Sequence, residues 1–195
     1  MKLWRSLTGK TYAQPAPKII LGVDPGLARM GYGVIVQKGS QLKAVEYGTI
    51  TSEAHTDVEK RLVIVFEKLQ KVLKKVKPDE VAIEELFFAR NVKTAISVGQ
   101  ARGVALLACG LAGVPVFEYK PAEIKQAVAG FGAANKEQIQ KMVKLLLGLS
   151  EVPKPDDTAD ALAIAITHAQ CSGTRLSEVV KKLSKSSVNT TFLKR

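Results

Sequence analysis

The chain has 195 residues, 46% of them hydrophobic and 24% charged, with a formal net charge of +11. That balance is typical of one soluble domain with a sizeable core. No continuous apolar run reaches the roughly 18 residues of a membrane span, and residues 1–18 lack the apolar stretch of a secretory signal, so a cytoplasmic protein with no membrane partner is expected.

The charge is unevenly placed. Residues 1–18 carry +4 and residues 175–195 carry +5, which leaves about +2 for the body between them. Basic ends attract polyanions at long range without specifying any of them.

Residues 1–18 read as an N-terminal extension, with Pro15 and Pro17 ahead of the first strand. The apolar run at 19–23, closed by Asp24-Pro25-Gly26, predicts a strand and a turn. Runs at 31–37 and 42–51, separated by Lys38-Gly39-Ser40, predict a hairpin. Between 57 and 76 the apolar residues Val58, Leu62, Val65, Leu69, Val72 and Val76 recur with helical period. Pro78 separates that helix from a fourth strand at 80–84. A long helix at 91–111 is rich in small residues, with Gly110 and Gly113 as its stop. A fifth strand at 115–119 and helices at 121–128, 136–147 and 158–170 follow. Residues 172–195 read as a basic, flexible tail. The pattern implies an α/β domain over 19–171, a five-stranded mixed sheet with helices on both faces. Cys109 and Cys171 have no partner at zinc-ligand spacing and read as buried thiols.

Acidic residues at the ends of apolar runs are the chemical signal. Asp24 ends the first strand, Glu84 ends the fourth, and Asp157 and Asp160 open the last apolar helix. A carboxylate there is costly unless it is paired or holds a cation. Each also has a plain structural reading: Asp24 suits a turn before Pro-Gly, Asp157 an N-cap, and Asp160 the first helical turn. Taken together, three acid-bearing segments suggest one oxygen-only site suited to Mg²⁺ or Mn²⁺ and to two-metal phosphoryl chemistry.

These residues carry a resemblance. Val23-Asp24-Pro25-Gly26 followed by Gly31-Tyr32-Gly33-Val34 resembles the opening of the RuvC Holliday-junction resolvases. So do Ala82-Ile83-Glu84 with Phe87, the stretch Gly99-Gln100-Ala101-Arg102-Gly103-Val104, and Asp157-Thr158-Ala159-Asp160-Ala161-Leu162-Ala163. The likeness covers about 18–168, in order.

The resemblance implies an RNase H-like fold and a homodimer that cuts two strands of a four-way DNA junction. Its catalytic and metal-binding carboxylates fall on Asp24, Glu84, Asp157 and Asp160. It chooses Glu84 over Glu85 and Asp157 over Asp156. Two ions roughly 3.5–4 Å apart would activate water and stabilise the leaving oxygen, giving 5′-phosphate and 3′-hydroxyl ends. Lys125 and Lys136, otherwise ordinary solvated helix lysines, become DNA-binding and charge-stabilising residues. Phe87 becomes a stacking residue at the junction centre, with Phe88 less defined. Apart from the resemblance, Arg90, Lys93 and Arg102 are candidate phosphate contacts, and the small residues of the helix at 91–111 suit both a dimer contact and burial against the sheet. The RuvA–RuvB branch-migration complex is the partner the resemblance implies. A non-catalytic junction binder, an RNase H-like nuclease acting on RNA–DNA hybrids and an actin-like ATPase are the alternatives.

Overall fold

The computed structural model describes the backbone of residues 4–5, 11–12, 16–85 and 92–187, and side chains within 16–85 and 94–172. Two short strands, β1 (Trp4–Arg5) and β2 (Thr11–Tyr12), pair antiparallel. The main body then runs β3 (Lys18–Asp24), β4 (Arg29–Lys38), β5 (Gln41–Thr51), α1 (Val58–Val76), β6 (Glu80–Glu84), α2 (Val92–Leu111), β7 (Val116–Tyr119), α3 (Pro121–Ala129), α4 (Lys136–Leu147) and α5 (Asp156–Ser187). The five-stranded sheet has the order β5-β4-β3-β6-β7. β3, β4 and β5 form an antiparallel meander, while β6 and β7 continue it in parallel.

Burial explains the sequence pattern. β3 is central and covered on both faces, so it reads as a nearly continuous apolar run. Edge strand β5 instead alternates between exposed and half-buried residues. One core packs Leu21, Val23, Val81 and Ile83 against Val65 and Leu69 of α1 and Ala101, Ala105 and Ala108 of α2. The other packs Ile20, Ile35 and Ala82 against Ile124 of α3, Val143 of α4 and Leu162 and Ile166 of α5.

One expectation changes. α5 does not stop near Gln170 but continues to Ser187, so the stretch read as a tail begins as helix. Leu176, Val179, Val180 and Leu183 keep a helical period through this Ser/Lys-rich stretch, a signal that the reading as a tail passed over. α2 adds a feature of its own. No continuous apolar run is long enough to span a membrane, yet the window Thr94–Leu111 averages a mean hydropathy of 1.3 and passes by length and composition. In this fold that helix packs one face on α1 and the sheet and leaves the other open.

Candidate active site at the C-terminal edge of the sheet

Strand alternation decides where the acids point. On β3, Ile20 belongs to the core beneath α5 whereas Leu21 and Val23 face α1 and α2, so Asp24 shares the α5 face. On β6, Ala82 faces α5 and Val81 and Ile83 do not, so Glu84 lies on the α5 face as well. Val23 pairs with Ile83 in parallel register, which places Asp24 and Glu84 next to each other at the strand ends. Glu85 is exposed, and its N–H donates to the Tyr119 carbonyl at 2.8 Å.

α5 can bring its acids to this point because the strands beneath it are stripped of side chains. A Cβ on Gly22 would lie 2.1 Å from the Ala161 carbonyl oxygen, and one on Gly31 would lie 1.9 Å from that of Asp157. Gly31 is the register partner of Asp24. The first turns of α5 therefore rest directly on β3 and β4, beside Asp24. Asp24, Glu84 and Asp160 line one cleft of about 270 Å³ together with Lys125 of α3 and Lys136 of α4. Pro121, Ile124 and Ile139 form its apolar wall.

Charge in the cleft is unbalanced. Burial, then the charges of Glu84, Asp160 and Asp157, push the Asp24 carboxyl up to about 7 against the pull of Lys136. Burial and Asp160 raise Glu84, with Lys125 opposing. Burial raises Asp160, with Asp157 and Asp156 adding to the effect, although Lys136 sits 3.2 Å from it. Burial also works against the charge of Lys136, but Asp160 and Asp156 outweigh it and raise its pKa. Asp156 is exposed and held low by hydrogen bonds from Lys136 and Gln140.

The four acids predicted from sequence therefore fall at one edge, with three in the cleft and one on its rim. Asp157, the rim residue, does not line the cleft, but its charge reaches Asp24 and Asp160. It accepts a hydrogen bond from Arg29 Nη1 at 3.1 Å. Arg29 was missed in the sequence, although it is the single cation between Asp24 and Gly31. Arg102, expected at phosphate, turns instead to β7 and pairs with Glu118. A long side chain on a half-buried helix position takes the nearest opposite charge. Phe87, Phe88 and Arg90, and the side chain of Lys93, lie outside the described residues.

The donor set suits a hard divalent cation, since it is oxygen only and its buried carboxylates repel one another. Among the described residues no three Asp, Glu, His or Cys side chains are yet grouped tightly enough to hold one ion. Lys136 and Arg29 occupy two of the four carboxylates instead.

A five-stranded mixed sheet with helices on both faces and acids clustered at the ends of two parallel strands defines an RNase H-like nuclease. A family model described as "Crossover junction endodeoxyribonuclease RuvC" matches residues 20–168. A protein of that name from Brevibacillus brevis is 58% identical over 164 residues, covering 84% of this chain and 99% of the relative. A structure of Thermus thermophilus RuvC in complex with Holliday junction substrate superposes with a TM-score of 0.74 at 39% identity, covering 78% of this chain and 93% of that one. The yeast mitochondrial Holliday junction resolvase Ydc2, at 17% identity and a TM-score of 0.59, covers 77% of each chain and shares the fold. The chain belongs to the RuvC family of crossover junction endodeoxyribonucleases. Enzymes of this family are phosphodiester-cutting nucleases that use divalent metal.

Proposed function

We propose that this protein resolves four-way DNA junctions by paired, metal-dependent hydrolysis, leaving 5′-phosphate and 3′-hydroxyl ends. The observation that carries the reading is the convergence of Asp24, Glu84 and Asp160 in one cleft with Lys125 and Lys136. Asp24, Glu84, Asp157 and Asp160 would hold two Mg²⁺ or Mn²⁺ ions. Bound there, the ions supply Lewis acidity and lower the pKa of water.

The chain's own residues do the rest. Asp24, pushed up to about 7 by burial and its acidic neighbours against the pull of Lys136, would lose its proton more readily beside a bound cation. Lys136, now between Asp160 and Asp156, and Lys125, facing Glu84, bring positive charge to the transferring phosphoryl group. The apolar wall of Pro121, Ile124 and Ile139 limits water and strengthens those interactions. Phe87, by resemblance, and Arg90, as a cation close to Glu84 in the sequence, complete the proposed DNA contacts.

A homodimer fits the same reading. The open face of α2 presents Ile96, Gln100, Gly103, Leu107 and Leu111 in helical register, with Ile96, Leu107 and Leu111 each more than half exposed. A four-way junction has its own near two-fold symmetry, which a two-fold dimer matches. The RuvA–RuvB complex is the proposed source of its substrate, and the cytoplasm its proposed location. Leu107→Glu should shift the protein toward monomer in sedimentation, and paired cuts should become single nicks.

The central test is cleavage of a labelled four-way junction, with linear duplex as the control, by wild type and Asp24→Asn. Symmetric paired nicks by wild type, with a loss of more than about 100-fold in the variant, are expected. Wild type that binds the junction but does not cut it in either Mg²⁺ or Mn²⁺ would refute the reading.

A further inference from the structure

The ion pair between Arg29 and Asp157 serves neither stability nor the chemistry of the cleft in any direct way. Its Nη1–Oδ2 distance is 3.1 Å, and the two side chains are 51% and 30% exposed. A single pair at such exposure adds little to stability. Nor does α5 need it as an anchor, because the helix already rests on Gly22 and Gly31. The pair does occupy a carboxylate of the site with a fixed cation.

The backbone beneath Arg29 is pinned. Arg29 opens β4 opposite Thr51. Ser52 holds the preceding turn, with its N–H on the Ala28 carbonyl at 3.2 Å and its hydroxyl on the Leu27 carbonyl at 2.5 Å. Arg61 Nε donates to that same hydroxyl at 3.0 Å. A long side chain thus projects from a rigid stalk. A guanidinium has five N–H donors, and Asp157 takes one hydrogen bond from it.

The sheet sets Arg29 beside the acids. Across β4, β3 and β6 the order is Arg29, Asp24, Glu84. Lys125, on the helix after β7, stands at the far side of the cleft beside Glu84. Lys136 lies over Asp160 on the helical layer. The acids therefore have cations on both flanks, and Arg29 is the one on the β4 flank. Its planar fork suits a phosphate, which it can grip with two parallel hydrogen bonds.

We propose that Arg29 contacts the DNA backbone next to the cut and in doing so releases Asp157 to bind metal. This rests on the nuclease reading above. Before substrate arrives, Arg29 neutralises Asp157. A row of phosphates outcompetes that exposed pair, and the freed carboxylate completes the donor set. DNA and metal then assist each other's binding by the same factor, as linkage requires.

The test uses the full chain as wild type, Arg29→Gln and Arg29→Lys, with thermal melts to establish that all three are folded. Junction binding without divalent ion is measured across a KCl series. The slope of log affinity against log salt should fall by about 0.9 for each phosphate that Arg29→Gln no longer neutralises, and should be retained in Arg29→Lys. Mn²⁺ binding to the DNA-free protein should tighten roughly two- to fivefold in Arg29→Gln, the worth of an exposed pair. Junction cleavage should fall in both variants, because Lys keeps the charge but not the fork. An unchanged salt slope in Arg29→Gln overturns the phosphate contact, and unchanged Mn²⁺ affinity overturns the release of Asp157. Failure of wild type to cut a junction at all would instead overturn the underlying reading.

Discussion

β6 begins with Glu80 and ends with Glu84, two glutamates on the same face of one strand, both beneath α5. At the start of the strand, Lys18 Nζ lies 2.9 Å from both Glu80 oxygens, and His168 Nε2 lies 2.5 Å from one of them. The Tyr119 hydroxyl meets the other ring nitrogen of the buried His168 at 2.7 Å, and Phe117 packs on the ring with centroids 4.6 Å apart. Burial works to raise Glu80, but hydrogen bonds from Lys18 and His168 outweigh it and hold it below the usual carboxylate range. At the end of the strand, Glu84 is raised by burial and by a like charge, and Asp24 beside it reaches about 7. One polar cluster satisfies its charges and the other leaves them in conflict. A fold retains the first kind for structure. The second kind costs stability and makes sense where a cation is to be taken up.

The largest effect that could break this contrast is on cleavage. Glu84→Gln should lower the junction-cutting rate by more than about 100-fold while the protein melts no earlier than wild type. Glu80→Gln should do the reverse. It should lose about 2 kcal/mol of stability, as expected when buried His168 and half-buried Lys18 lose a charged acceptor. Cleavage per folded molecule should be unchanged. Equal losses of activity from both variants would mean that the two ends of β6 act as one unit.

The next effect is on the pH dependence of stability without metal, where the two clusters have opposite signs. The folded pKa of Asp24 is raised from 3.8 to about 7, so its contribution is fully present below the unfolded value and is lost as pH rises through about 7. Asp24→Asn should therefore be more stable than wild type at pH 8 by an amount on the order of 3 kcal/mol. The gain should shrink steadily on acidification and vanish near pH 4. Glu80 is depressed, so its contribution is present above its unfolded value and is lost as pH falls through the folded one. The penalty of Glu80→Gln should accordingly be full at pH 7 and fade in acid. Denaturant melts of both variants at pH 4, 6 and 8 measure this directly. An Asp24→Asn gain that is flat with pH would mean that Asp24 is not strained.

The two clusters also differ in how far the sequence reveals them. The strained one was legible because its acids interrupt apolar runs, and strand alternation then fixes their common face. Asp24 and Asp160 are placed by the apolar run that each closes or opens, whereas the choice of Glu84 over Glu85 needed the family resemblance. The satisfied cluster was invisible, since Glu80 and His168 are 88 residues apart and each looks ordinary in its own segment. Arg29 escaped for a related reason: its partner Asp157 is 128 residues away. Arg102 shows the same limit from the other side, because its position in the sequence suggested DNA whereas a neighbouring strand supplied Glu118. All five strands of the main sheet follow from composition and turn residues, whereas the extension of α5 past Gln170 is masked by its Ser and Lys residues despite the period of Leu176, Val179, Val180 and Leu183.

The smallest effect probes whether the clusters communicate. Tyr119 pairs with Glu84 across the parallel ladder while its hydroxyl meets His168, so it spans both. His168 meets Glu80 through Nε2 and that hydroxyl through Nδ1, so its ring bridges the two. Tyr119→Phe removes the hydroxyl and keeps the ring, which should cost about 1 kcal/mol. The backbone register that places Glu84 does not depend on the hydroxyl, since it is set by the β6–β7 hydrogen bonds and by the Glu85 N–H on the Tyr119 carbonyl. Junction cleavage at saturating Mg²⁺ should therefore match wild type. A rate that falls further than the lost stability explains would show that the network beneath α5 helps to aim Glu84, and the division between a structural and a reactive end of β6 would no longer hold.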